Sequence, residues 1–336
     1  MGYALSGLGA GRFDDDETED AAVGQLDDLV RVERGNGDGT FEPGSSVSFD
    51  DPIVIEVVHL DEDTSEDILV GGKNQVAAIA MLAPVPLTLD SYPLPNYAFE
   101  ISAVTAGAVT QVLVTYVVDW ATTEADYLIF DSRNGFELIA HFENVYSSSL
   151  EILSEGGVGD IIVSHVGSIE IHRVDVRDPA SMVDSTSVDF VDAAAEYGSI
   201  EAGDYDGDGI SDLALLGSSG IEWLQGAGDG NFEDRGSIAL GGAGDPVEIL
   251  NLWPDREGTG CSMGVAVGFA NPDVVRAFSP SAEGLMPRAT VDLGSPFTTL
   301  AIGDFGGDGV PDVAALRETG EFVYTLSVFE GTTEDQ

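Results

Sequence analysis

Four carboxylates crowd one stretch of the chain, GDYDGDGISDL at 203–213. Asp204, Asp206, Asp208 and Asp212 hold positions 1, 3, 5 and 9 of a loop, and the Ile210 carbonyl stands at position 7. Alternate groups of a tightly turned loop converge on one point. A cage built only of oxygen suits a hard cation such as Ca²⁺ better than a transition metal. Gly207 and Gly209 give the backbone the freedom to make such a turn. An EF-hand loop opens the same way but needs a bidentate Glu at position 12. That position is Leu215 here, which excludes the EF-hand.

Other chemistry is not written in the chain. There is no GxSxG elbow, HExxH, CxxC or Walker loop. His59, His141, His165 and His172 sit in or beside apolar runs and read as core or sheet-surface residues. With 61 acids, carboxylate pairs of the glycosidase kind are available everywhere, so no single pair marks an active site. Cys261 is alone, which rules out an intramolecular disulfide. The expectation is a protein that is not an enzyme.

The acidic loop needs elements on either side to hold it. Leu213 to Leu216 follows it as a short apolar run of the strand type. The chain carries 42 Gly and 14 Pro, its apolar segments are rich in β-branched residues, and no long window shows a 3.6-residue period. Short strands between Gly/Asp/Ser turns predict an all-β propeller or barrel. A second motif recurs: GLGAGRF at 7–13, GNGDGTF at 35–41 and GAGDGNF at 226–232. A phosphate-binding GxGxxG is a poor fit, because the third glycine comes one residue early and no helix follows. The spacing predicts a glycine turn between strands, with Phe13, Phe41 and Phe232 packed inward.

Taking the Asp212-Leu213 step as anchor, weaker copies run through the chain. Residues 24–41 place the anchor at Asp28; 59–69 keep Asp61, Asp63 and Asp67; 117–130 keep Asp126; 154–174 keep Asp160; 253–269 keep only loop length and strand; 303–313 keep Asp304, Asp308 and Asp312. With the master copy these make seven, and 336 divided by 7 is 48 residues each, within the period of propeller blades. The last copy ends at FVYTLSVFEG without its GxGxGxF, while the N-terminus begins with a spare one. The two ends are therefore expected to complete one blade together and close the ring.

The DxDGDGxxDL loop, the strand after it and the GxGxGxF turn resemble the FG-GAP/VCBS-type repeat, the blade of integrin α-like propellers. The likeness is strong over 186–235 and 289–331, fair over 20–70 and weak elsewhere. It implies a single domain over 1–336, a seven-bladed β-propeller of four-stranded antiparallel blades. The blades fall near 14–45, 46–94, 95–140, 141–185, 186–235, 236–288 and 289–336, the last completed by 1–13. It also implies structural Ca²⁺ held by Asp204, Asp206, Asp208, Ile210 and Asp212. A second, poorer site would use Asp304, Asp308, Val310 and Asp312, where Gly306 has replaced the acid of position 3. Proteins of this family mostly bind other proteins or glycans, or serve as structural modules.

Charge narrows the setting. Against the 61 acids stand 12 bases, for a formal charge of −49, with the acids spread along the chain. Such a surface repels itself in dilute buffer, while in molar salt the screening length falls to about 3 Å. That balance fits a halophile's protein and argues against nucleic acid as a partner. The N-terminal MGYALSGLGAGRFDDD has no basic region or apolar core of a secretory signal, and no apolar run is long enough to span a membrane. The sequence-based expectation is an exposed component of a halophilic assembly. It would bind other subunits, a host-cell protein or a glycan, on a haloarchaeal virus particle or else as a secreted or cell-surface adhesion propeller. A glycan-active enzyme on the same fold is the rival of a different class. Exposed aromatic surfaces for recognition are sought at 91–99, around Trp120 and at 252–258, whereas Trp223, Trp253 and most tyrosines are expected to pack between blades.

Overall fold

The structure, a computed structural model, describes residues 7–331 except 15, 17, 26–27, 61–64, 82–85, 107–108, 120–123, 132–136, 146–149, 156–157, 166–167, 176–177, 190–196, 218–219, 229–230, 241–244, 253–263, 271–272, 282–283 and 321–322, and over 142–198 it describes backbone alone. Every regular element among these residues is a β-strand, so none is a helix that could cross a membrane. The chain divides into two compact units, Met1–Tyr146 with Val176–Ala180 and Thr298–Glu330, and Ser147–Asp175 with Ser181–Phe297 and Gly331–Gln336.

The first unit opens with β1 (Leu8–Gly11), β2 (Asp20–Gln25), β3 (Leu29–Gly35) and β4 (Phe41–Ser48), a sheet in sequence order. A six-stranded sheet follows, made of β5 (Pro52–Val58), β6 (Asp67–Ala80), β7 (Leu87–Ala106), β8 (Val109–Asp119), β9 (Glu124–Asp131) and β10 (Glu137–Val145). The second unit holds three four-stranded sheets among the described residues, less Asp178–Ala180 at the start of the last strand of the first sheet. They are β11 (Leu150–Glu155) to β14 (Asp178–Asp189) through β12 (Val158–His165) and β13 (Ser168–Asp175); β15 (Tyr197–Gly203), β16 (Asp212–Gly217), β17 (Gly220–Gly226) and β18 (Phe232–Ala239); and β19 (Asp245–Asn251), β20 (Val265–Ala270), β21 (Val274–Ser281) and β22 (Gly284–Asp292). The chain then returns to the first unit as the three-stranded sheet β23 (Thr299–Gly303), β24 (Asp312–Gly320) and β25 (Val323–Phe329).

Within each sheet the sequence sorts itself by depth. β16, DLALLG, is buried at every residue, as a strand covered on both faces must be. The outer strand β18, FEDRGSIA, is polar and exposed except at Phe232 and Ile238, which are half-buried. In the second unit Tyr205, Ala214, Leu216, Ile221 and Trp223 pack on Ile249, Val265, Val267 and Phe269 in one core. In the first unit Leu8, Ala21 and Val23 pack on Ala301, Phe305, Ala314 and Leu316, joining the N-terminal and C-terminal sheets.

These sheets correct the expected count. Among the described residues, instead of seven four-stranded blades there are five sheets of blade size, four of them four-stranded and one three-stranded, together with the six-stranded sheet. The expected boundary between 94 and 95 falls inside β7, which runs unbroken for 20 residues. Its first half pairs with β6, from Ala80↔Leu87 to Lys73↔Tyr97; its second half pairs with β8, from Ala98↔Tyr116 to Ala106↔Val109. Pro95 falls in the register shift between Gln75↔Pro93 and Lys73↔Tyr97, an irregularity of the ladder at which a strand tolerates proline. Ring closure by strand pairing is also corrected. Among the described residues β1 pairs with β2, from Leu8↔Val23 to Gly11↔Asp20, and is the first strand of its own sheet, which side-chain packing joins to the last one.

The spare GLGAGRF is accordingly a strand and not a turn. Its glycines serve close approach: a Cβ on Gly9 or Gly11 would lie 2.7 and 2.6 Å from the Val57 methyls of β5. In 35–41 and 226–232 the expected turn is present, with positive φ at Gly37, Gly39 and Gly228.

Candidate metal-binding loop and its repeats

Residues 204–212 join β15 to β16. Asp204, Asp206 and Asp208 each bring a carboxylate oxygen to within 4.8 Å of the others. Backbone donors hold the three in place. Asp204 accepts N–H bonds from Gly207 (2.7 Å), Asp208 (3.0 Å) and Gly209 (2.9 Å), Asp206 accepts from Asp208 (3.1 Å), and Asp208 accepts from Ile210 (2.8 Å). These bonds need the chain to double back, which it does at Gly207 (φ 79°) and Gly209 (φ 85°), conformations that glycine adopts without strain. Gln225 of β17 donates its side-chain amide to Asp206, and Arg235 of β18 donates to the Gln225 oxygen.

Asp212 stands apart from that cluster. It is fully buried and spans two loops, accepting from Tyr205 N (3.0 Å) and from Gly226 N (2.8 Å). Burial outweighs those donors and pushes its carboxyl from 3.8 up to about 6. Ile210 is half-buried with its side chain over the glycine turn after β17, where a Cβ on Gly228 would come within 3.2 Å of it. A Cβ on Gly226 would lie 2.2 Å from the Ser211 carbonyl. The acidic loop and the GxGxGxF turn, separate motifs in the sequence, are two layers of one packed corner.

The same corner occurs again at 12–20, where the sequence motifs gave no sign of it. Phe13, Asp14, Asp16, Thr18 and Asp20 repeat Tyr205, Asp206, Asp208, Ile210 and Asp212 position by position. Asp16 N binds Asp14 (3.0 Å), Thr18 N binds Asp16 (2.9 Å), and Asp20 clamps Phe13 N (3.0 Å) and Gly35 N (2.9 Å). A Cβ on Gly35 would meet the Glu19 carbonyl at 2.0 Å, the counterpart of Gly226 on Ser211. Position 1, Asp204 in the master loop, is here Arg12, which pairs with Glu19 at 3.3 Å, while Arg34 pairs with Asp14 at 3.4 Å. This loop carries its own cations. The anchor is therefore Asp20 and not Asp28, which sits at φ 60° in the β2–β3 turn and accepts from Asp51 N (3.1 Å). An aromatic–Asp–x–Asp–x–x–x–Asp spacing would have found it.

At 304–312 the loop is intermediate. Asp304 accepts from Asp308 N and Gly309 N, both at 3.0 Å, and Asp308 accepts from Val310 N (2.9 Å). Gly306 offers only its N–H, given to buried Asp312 at 2.7 Å, so two side chains remain at the front of the loop. Val310 is buried. Asp67 repeats the clamp, accepting from Leu60 N (2.8 Å) and Met81 N (2.9 Å); Asp61 and Asp63 lie outside the described residues.

Of the other residues singled out by the sequence, His59 and His141 are exposed, and the side chains of His165 and His172 lie outside the described set. His141 Nε2 meets Asp126 at 3.0 Å, and the buried Tyr116 hydroxyl donates to the same carboxylate oxygen at 2.7 Å. Trp223 is buried as expected, whereas Trp120, Trp253 and Cys261 lie outside the described residues. Stretch 91–99 belongs to β7, with Tyr92 edge-on to buried Phe130 at 5.2 Å.

A family model for the FG-GAP-like repeat matches residues 177–250, the span that contains the acidic loop and its turn. No curated protein matches the chain in sequence. Among solved structures, the chain is similar to one from the mitotic checkpoint complex (12% identity, TM-score 0.65, covering 98% of this chain and 90% of that one). It is also similar to the Dos1 propeller (12%, 0.53, 88% and 72%) and to the periplasmic gluconolactonase PpgL of Pseudomonas aeruginosa (13%, 0.60, 87% and 86%). At such identities the likeness is one of fold: an all-β propeller carrying an FG-GAP-like repeat.

Proposed function

We propose that this chain is a non-enzymatic binding or structural propeller whose 204–208 loop is fastened by a structural Ca²⁺. The observation that carries the reading is the convergence of Asp204, Asp206 and Asp208 within 4.8 Å in a loop shaped by its own backbone N–H groups. The donor set fits the ion: oxygen only, three carboxylates, on a loop open enough for water to complete a shell of about 6–8 ligands. Asp204, Asp206 and Asp208 would hold it, and the ion would supply neutralisation of clustered charge. The hydrogen bonds of these acids go into the loop, which favours a fastening role over proton transfer. Tyr116, Asp126 and His141 similarly satisfy one another.

The setting we propose is concentrated salt, on the exposed surface of a larger assembly. A haloarchaeal virus particle that attaches to or is decorated for its host is the first choice, and a haloarchaeal cell surface the second. The −49 charge supports the brine. Co-sedimentation with haloarchaeal cell envelopes in about 2–3 M salt, a range that screens acidic surfaces, tests it, with and without a Ca²⁺ chelator. Saturable pelleting is expected. A folded, calcium-loaded protein that stays in the supernatant sinks the attachment reading, and hydrolysis of a glycan by the pure protein sinks the non-enzymatic one.

A further inference from the structure

Position 3 of these loops is met from across the sheet. The residue after the clamping aspartate pairs with the third strand at Leu213↔Leu224, Ala21↔Glu33 and Val313↔Phe329. The residue that follows on the third strand is therefore one structural position in three sheets, and its occupants are Gln225, Arg34 and Glu330. Gln225 donates its side-chain amide to Asp206, the acid of position 3. Arg34 pairs instead with Asp14, which holds position 3 in its own loop, at 3.4 Å. Glu330 comes where position 3 is Gly306, which has no side chain to meet.

These occupants differ in what they leave for an ion. A guanidinium beside a carboxylate satisfies its charge, so a cation must first displace it. An amide N–H holds the carboxylate by a hydrogen bond and leaves the charge in place. Ligating carboxylates are steadied from behind in this way, and loss of such a partner weakens metal binding about 10–100-fold. The orientation of Gln225 is fixed in turn. Arg235 can only donate, so the Gln225 oxygen faces Arg235 and the amide N–H faces Asp206. Arg235 is the extra residue of β18 between Leu224↔Asp234 and Trp223↔Gly236, a bulge of the kind that re-aims a side chain. Its charge is exposed and one amide removed from Asp206. In molar salt, with a screening length of about 3 Å, it does little to repel an ion from the loop.

We propose that Gln225 is the residue that keeps the 204–208 loop open to a free divalent cation: it positions Asp206 without neutralising it, where Arg34 neutralises Asp14. One loop holds its charge ready for Ca²⁺, and the other is closed by the protein's own guanidinium. The inference rests on the structural-calcium reading above and names the residue outside the loop on which that reading depends. Gln225 is a positioning residue, acting through Asp206 from 19 residues further along the chain.

The test uses the full chain and Ca²⁺ alone, by calorimetric titration at fixed KCl, with melting of the metal-free chain measured alongside. Gln225→Arg, which copies the 12–20 loop, should weaken Ca²⁺ binding by about a hundredfold, the upper end for a lost outer partner, and leave the metal-free chain melting no lower than the parent. Gln225→Lys, a slimmer cation with the same expected loss, serves if the arginine variant does not fold. Gln225→Ala should weaken binding about tenfold at unchanged metal-free melting, a split that a merely structural role does not give. Arg235→Ala should weaken it too, by less than Gln225→Ala. Parent affinity kept by the cationic variants, or by Gln225→Ala, overturns the proposal and leaves the calcium reading standing. A parent chain that binds no Ca²⁺ overturns both, so the two failures are told apart.

Discussion

Asp208 and Asp212 are four residues apart and do opposite work. Asp208 is exposed beside two other carboxylates, and Asp212 is buried between two backbone donors. Asp208→Asn should leave the metal-free protein as stable or slightly more so and abolish the response to Ca²⁺. In the parent chain that response should reach about 2.7 kcal/mol when the free ion is about a hundredfold above its Kd. Denaturant titrations with Ca²⁺ and with chelator measure both. Asp212→Asn should instead lose about 1–3 kcal/mol in either condition, because a buried N–H goes unpaired. Asp20 extends the point to pH. Its carboxyl is pushed from 3.8 to about 6, chiefly by burial, so the folded chain holds this proton more tightly than the unfolded one. Its stabilising contribution is full below about pH 4 and is lost as pH rises through about 6. Asp20→Asn should flatten the slope of stability against pH across that window, read by thermal melts at fixed salt. The spacing at 204–212 was legible because carboxylates at alternate positions have few other uses. The division of labour within it was not, since a ligand and a clamp are spelled alike and only burial separates them.

At the scale of elements, like sequences took unlike structures. GLGAGRF and GNGDGTF share their glycines, yet one is β1, pressed on the methyls of Val57, and the other is a turn. The difference lies in the residues after each motif: Phe13 opens an acidic loop, whereas Phe41 opens a strand and meets Phe305 edge-on at 5.6 Å. The loop at 12–20 was missed for a related reason, since Arg12 and the absence of glycines hide an arrangement whose hydrogen bonds are those of 204–212. The pairing of acidic loop with glycine turn can be tested at its tightest point. Gly226→Ala drives a methyl to 2.2 Å from the Ser211 carbonyl. It should cost about 1–3 kcal/mol by denaturant titration, whether or not Ca²⁺ is present.

For the whole molecule, charge and strand continuity matter most. With −49 on 336 residues, thermal stability should climb steeply between about 0.1 and 1 M KCl, as the screening length falls from about 10 to about 3 Å, and change little with further screening. A flat response from dilute buffer upward would contradict a brine-adapted surface. The all-β class was legible from composition and short apolar runs. The number of sheets was not: counting copies of a loop assumes that the chain breaks once per copy, and at β7 it does not.

β7 makes two stretches of chain inseparable. Tandem repeats can ordinarily be lost, duplicated or cut between units, because each boundary is a loop that few hydrogen bonds cross. Here the would-be boundary at 94–95 lies within a strand that serves β6 on one side of it and β8 on the other. Residues 52–145 should therefore melt together, behave as one cooperative unit and be inherited as one. In circular permutants, new termini opened between Leu94 and Pro95 should prevent folding, while termini opened at exposed Gly294, in the loop between β22 and β23, should be tolerated. For this molecule the modular grain of the sequence and that of the fold diverge at one strand.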